Sequence, residues 1–242
     1  MSAAGVGPGV PASSLSGPEN ELAARTAIIA TYRRAQELGI NQGSAGNVSL
    51  RWHRGGLAGM LVTPAGLGAD ELGAADIVWL GLDDPQPEAE ARAPSSEWRL
   101  HRDLYLARPE FGAIVHAHSS FAASLSCLPA VQAEGIPAFH YMIAVAGGDD
   151  LRCSRYETFG TQELSAAVVE AMTARRACLM ANHGQTAAGA TVSAALALAL
   201  EVETLCRMYA QVRQLGEPQL LSGEQMAQVH RQFATRASAS GR

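Results

Sequence analysis

The chain contains no lysine: all 18 basic residues among its 242 are arginine. That excludes a reaction running through a lysine Schiff base and a Walker-type phosphate loop, which needs a lysine after its glycines. Aromatic residues are few, at 5%, so the core is built of small and aliphatic side chains. Cysteine is sparse too. Cys127, Cys153, Cys178 and Cys206 are widely spaced and form no C-x-x-C pair, which argues against a disulfide framework and for reduced thiols in the cytoplasm. No apolar run reaches bilayer length, and the longest, 192–200, is closed by Glu201 and Glu203. The N-terminal residues show neither a basic segment nor a continuous apolar one, so no secretory signal is expected. Net charge is −5 and there is no basic stripe, so neither nucleic acid nor a membrane is expected as a partner.

What remains is enough apolar sequence, 48% of the chain, for one ordinary domain with an ample core. Residues 1–18 are rich in Gly, Pro, Ser and Ala and carry no charge. They read as a disordered tail, and 236–242 as a flexible C-terminal one. No repeat or linker divides 19–235. Ile28, Tyr32, Ala35 and Leu38 form one apolar stripe, which predicts a helix over 21–38 stopped by Gly39. Strands are expected at 47–52, 59–63, 77–82, 111–118 and 177–181. Helices are expected at 97–107, 161–174, 192–214 with Thr191 as cap, and from a Ser222/Gln225 capping box to about Phe233. Strands and helices interspersed in this way predict the α/β class, a central sheet covered by helices.

Four short segments could carry chemistry. His116 and His118 lie two apart on an expected strand, so both imidazoles share a face. That spacing suits two nitrogen ligands on one metal and equally a solvated strand end. His183, in the turn Asn182-His183-Gly184 after a buried strand, could add a third nitrogen or be polar surface. Pro94-Ser95-Ser96-Glu97 opens a helix, where free backbone N–H groups favour an anion. Glu97 could instead be a metal ligand, a general base or a plain first-turn acid. The turn holding Gly43, Ser44, Gly46 and Asn47, and the second turn Thr63-Pro64-Ala65-Gly66, would let a ligand approach the backbone or serve only as turns. His53, His101 and His230 have no partners at ligand spacing and are set aside. So is Asp83-Asp84, in a Pro-rich loop.

Taken in order, G-S-A-G-N-V-S, T-P-A-G, P-S-S-E, H-A-H and N-H-G resemble the class II aldolase/adducin family over about 21–233. The block 136–148, with His140-Tyr141-Met142, and Thr158-Phe159-Gly160-Thr161 resemble its fuculose-phosphate aldolase branch. The resemblance implies a single α/β domain whose central, mainly antiparallel sheet has helices on both faces. It implies a lyase of carbohydrate metabolism that cleaves a ketose 1-phosphate to dihydroxyacetone phosphate and an aldehyde. His116, His118 and His183 match the zinc ligands, one ion per subunit, with Mn2+ or Co2+ as alternatives. Glu97 matches a carboxylate that ligates the metal at rest and acts as acid/base with substrate. Ser44, Asn47, Gly66, Ser95 and Ser96 match the phosphate and substrate cradle. Tyr141 matches a tyrosine offered by a neighbouring subunit of a homotetramer.

Two departures bear on the substrate. Ala65 stands where the fuculose branch has threonine. No tyrosine follows Tyr209, where that branch has one against the aldehyde; here the match reads Phe233-Ala234-Thr235-Arg236. The substrate is therefore expected to be L-fuculose 1-phosphate or a related 5-deoxy- or 5-methylthio-pentulose 1-phosphate. The alternatives on the same metal site are a pentulose-5-phosphate 4-epimerase and a methylthioribulose-1-phosphate dehydratase. The alternative of another class is a non-catalytic adducin-like scaffold.

Overall fold

Asn20 starts the first helix by accepting a hydrogen bond from Ala23 N at 2.9 Å, as an N-cap side chain should. In the computed structural model, which describes residues 18–88 and 91–240, this helix, α1, spans Glu21–Glu37. The expected tail over 1–18 lies outside the described residues except for Pro18. The remaining elements are β1 (Asn47–Arg54), β2 (Leu57–Val62), β3 (Val78–Gly81), α2 (Trp98–Ala107), β4 (Ala113–Ala117), α3 (Ser120–Ser126) and α4 (Pro129–Glu134). They continue with β5 (Cys153–Ser154), α5 (Gln162–Ala171), β6 (Ala177–Met180), β7 (Gly184–Gly189), α6 (Val192–Leu215) and α7 (Gly223–Ser240).

The strands form one seven-stranded sheet in the order β3-β2-β1-β4-β7-β6-β5. Every pairing is antiparallel except the short β5–β6 pair. Side-chain alternation sends the two sets of apolar residues to opposite faces. Val48, Leu50, Leu61, Val115, Leu179 and Ala187 pack with Ile28 and Tyr32 of α1 and with Leu198 and Val202 of α6. Met60, Val62, Val78, Leu80, Ile114 and Met180 pack with Leu100 and Leu104 of α2 and with Leu164 and Val168 of α5. The single α/β domain, its mainly antiparallel sheet and its helical cover are as the sequence led one to expect. None of the helices among the described residues is long and apolar enough to cross a membrane.

Several local readings need correction. β7 has the sequence GQTAAG, in which Thr186 is the one β-branched residue and none is aromatic, a weak strand signal; it is a strand because β4 and β6 pair with it on both sides. α3 and α4 are too short to show a helical period. The last helix does not end near Phe233 but runs to Ser240, through residues read as a flexible tail. Nothing between Phe233 and Ser240 breaks a helix, and the next glycine is Gly241. Glu97 is the N-cap of α2 rather than its first-turn acid, and its side chain makes no cap bond.

Candidate metal centre

The register of β1 against β4 places Asn47 opposite His116. The antiparallel pair of β4 with β7 carries the turn holding His183 to the same sheet end. Asn182 turns the chain there with a left-handed φ of 54°, a conformation that asparagine tolerates. Two glycines are required by close approach. A Cβ on Gly46, whose φ is +69°, would lie 2.5 Å from the His116 carbonyl oxygen and from the Asn41 side chain. A Cβ on Gly184 would lie 2.3 Å from the Ala117 carbonyl oxygen.

Three imidazoles meet at this end. His118 Nε2 lies 3.0 Å from His116 Nε2 and 2.9 Å from His183 Nε2. Glu97 brings Oε2 to 3.1 Å from His116 Nε2 and Oε1 to 3.3 Å from His183 Nε2. All four ligand atoms fall within 4.8 Å of one another. Ligands at ~2.0–2.1 Å from a tetrahedral ion stand ~3.3 Å apart, so the cluster has the dimensions of a coordination shell. His116 Nδ1 lies 2.9 Å from the Gln185 carbonyl oxygen. That oxygen can only accept, so Nδ1 carries the proton and Nε2 faces the centre, as in outer-shell support of a metal ligand. Asn41, unnoticed in the sequence, accepts from His118 N at 3.1 Å and so fixes the backbone where β4 ends.

Burial first, and the charge of His116 second, hold the His118 pKa at about 4 and that of His183 at about 3. Both are therefore neutral, the form that ligates. Burial would push the Glu97 carboxyl up, but the His116 charge and the hydrogen bonds from His116 and Asn47 outweigh it and hold the group below its usual range. Burial would likewise lower His116, and its pairing with Glu97 raises it instead. Glu97 Oε1 is buried and accepts no hydrogen bond. Such an orphan oxygen is costly unless something else occupies it. Three imidazole nitrogens and a carboxylate with one unused buried oxygen fit a divalent cation.

A cavity of about 360 Å³ opens on the cluster. Ser44, Asn47, Gly66, Ser95, Ser96, Glu97, His118 and His183 all line it, so the two glycine turns, the start of α2 and the histidines share one site. His116 is fully buried behind it. Tyr156, Glu157 and Phe159 also line it; they fall in or beside the 158–161 block that carries the resemblance, which gave them no role, and the first and third are largely exposed. Tyr141 is not brought there. It begins a short 3-10 helix, is half exposed, stacks on Phe233 with ring centroids 6.5 Å apart and borders a different cavity.

Residues 26–210 match the family described as Class II Aldolase and Adducin N-terminal domain. The chain belongs to this family. Among its class II aldolase/adducin relatives, a 5-methylthioribulose-1-phosphate/5-deoxyribulose-1-phosphate aldolase of Rhodospirillum rubrum is 44% identical over 90% of this chain and 94% of its own. The L-fuculose phosphate aldolase of Escherichia coli strain K12 is 41% identical over 86% of this chain and 93% of its own. A solved structure of an L-fuculose 1-phosphate aldolase superimposes with a TM-score of 0.79 at 34% identity, covering 87% of this chain and 96% of that one.

Proposed function

We propose that the protein is a metal-dependent aldolase that reversibly cleaves a ketose 1-phosphate to dihydroxyacetone phosphate and an aldehyde. The observation that carries this reading is the convergence of His116, His118, His183 and Glu97 on the cavity that the Ser95-Ser96 turn and Gly66 also line. With no lysine in the chain, an aldolase must work through a metal. The three histidines and Glu97 would hold one divalent ion, zinc by preference for this donor set. Such an ion supplies Lewis acidity toward the oxygens of the three-carbon fragment.

The chain's own groups do the rest. Ser95 and Ser96 at the start of α2, with Ser44 and Gly66 across the cavity, would take the phosphate, helped by the free N–H groups of the helix end. In cleavage the Glu97 carboxylate, ionised at rest, takes the hydroxyl proton of the future aldehyde as the carbon–carbon bond breaks. The bond's electron pair passes to the three-carbon fragment, and Glu97 returns a proton to its terminal carbon. Glu97 would be a ligand at rest and yield that place when substrate binds, which leaves its Oε1, buried and without a hydrogen bond, for that exchange. Tyr141 would serve the aldehyde oxygen of a neighbouring subunit's site in a homotetramer, which is in keeping with its distance from the metal centre of its own chain.

The missing tail tyrosine and the Rhodospirillum rubrum relative favour a 5-deoxy- or 5-methylthio-pentulose 1-phosphate over L-fuculose 1-phosphate. Four free thiols suit a reducing compartment such as the cytoplasm. The test is dihydroxyacetone phosphate release from a panel of ketose 1-phosphates, with and without chelator. Release that chelator abolishes and zinc restores is the expected result; metal-independent release, or none from any member, would overturn the reading.

A further inference from the structure

His101, on α2, touches neither the cavity nor the metal cluster. Its ring is fully buried, with Nδ1 2.7 Å from Ser49 Oγ and Nε2 in hydrogen-bond contact with Asn47 Oδ1. Asn47 in turn reaches Ser95 Oγ at 2.9 Å and Glu97 Oε2 at 3.0 Å, both through Nδ2. Ser49 Oγ lies 2.8 Å from the Tyr105 hydroxyl.

The direction of every bond in this chain is fixed by elimination. The Glu97 carboxylate only accepts, so the Asn47 amide nitrogen must face it. The Asn47 oxygen therefore faces His101 and can only accept, which requires the proton on Nε2. A neutral ring then leaves a lone pair on Nδ1, so the Ser49 hydroxyl donates to it and accepts from Tyr105. Each donor is used once, and the chain runs one way from Tyr105 to Glu97. Burial first, and the His116 charge second, hold the ring's pKa at about 3, which keeps it neutral.

We propose that His101 is a positioning residue: its Nε2–H locks the Asn47 amide in the one orientation that donates to both Ser95 and Glu97. A rotated amide would set its oxygen against the carboxylate and take away both bonds at once. One buried imidazole thus aligns the proton-transfer group and a wall of the proposed phosphate cradle. The role in turnover rests on the function proposed above; the alignment itself does not.

Glutamine can place an amide N–H where His101 Nε2 stands, and leucine fills the space without a donor. Loss of one buried hydrogen-bond partner corresponds to about 5- to 150-fold in a rate or equilibrium. In the metal-reconstituted enzyme, His101→Leu should lower kcat by about that factor, and His101→Gln should recover to within about 5-fold of the parent. Cobalt(II) alone, titrated into metal-free protein by absorption, should bind about 10-fold more weakly to the leucine variant, with recovery in the glutamine variant. In metal-free wild-type protein, 15N NMR should find the His101 proton on Nε2, a reading that needs no variant to fold. Leucine and glutamine variants that fold and behave alike, or a proton on Nδ1, would overturn the proposal. If the wild-type chain releases no dihydroxyacetone phosphate, the functional reading fails while the cobalt and NMR results still decide this one.

Discussion

Asn47 stands opposite His116 across the β1–β4 ladder, and its amide donates into the candidate metal cluster, to Glu97 Oε2 at 3.0 Å. A residue of the glycine turn is thereby tied to the strand carrying H-x-H and to the start of α2. The candidate metal ligands, the proposed proton-transfer group and the proposed phosphate cradle are not three separate sites but one hydrogen-bonded unit.

The metal content should be about one divalent ion per chain, as three histidines and a carboxylate require. Elemental analysis of purified protein measures this directly. His116→Ala should lose both the ion and activity. Full metal content in that variant would contradict the ligand assignment.

Glu97→Gln keeps the size of the side chain and an oxygen near the cluster while removing the proposed base. Turnover should fall by about 10²- to 10⁴-fold, with metal largely retained. Steady-state cleavage measured beside metal content checks both halves. Near-normal turnover would mean that another group moves the proton.

Gly46→Ala must place a methyl group 2.5 Å from the His116 carbonyl oxygen at a φ of +69°. The left-handed backbone and the clash together should cost about 2–4 kcal/mol. Because the clash pushes on the strand that carries His116, metal affinity should fall with the melting temperature. An unchanged melting temperature would show that the turn is not held as described.

The neutral His101 ring makes stability fall in mild acid. Its folded pKa, about 3, lies below the unfolded value of about 6.5. The unfolded chain therefore binds the extra proton, and the contribution is fully present above about pH 6.5 and lost as pH falls toward the folded value. Between about pH 7 and pH 5 the loss from this group should be about 2 kcal/mol. Urea titrations at both pH values, comparing the parent with His101→Gln, isolate it, because the glutamine cannot titrate.

If Tyr141 serves a neighbour's site, mixed oligomers of Tyr141→Phe and Glu97→Gln chains should regain activity that neither variant has alone. Sites with both native residues arise only in hybrids. Verified hybrids with no gain would place Tyr141 outside the chemistry.

The sequence alone determined the chemistry available and the class of fold. An arginine-only set of cations removed the Schiff-base route, and the period-2 spacing of His116 and His118 put two imidazoles on one face. The capped helices at Thr191 and Ser222 were legible because their signals are local, within three or four residues along the chain; the structure has Thr191 capping Ala194 N at 3.1 Å. What only the tertiary structure decided depends on groups distant in sequence. β7 is a strand by virtue of its partners, not its composition. Glu97 faces histidines instead of capping its own helix. His101 looked like a helical histidine without company, since the asparagine it meets lies 54 residues away. Hydrogen bonds have direction and need a partner at about 3 Å. Only the folded sheet, by pairing β1 with β4 and laying α2 across them, supplies those partners.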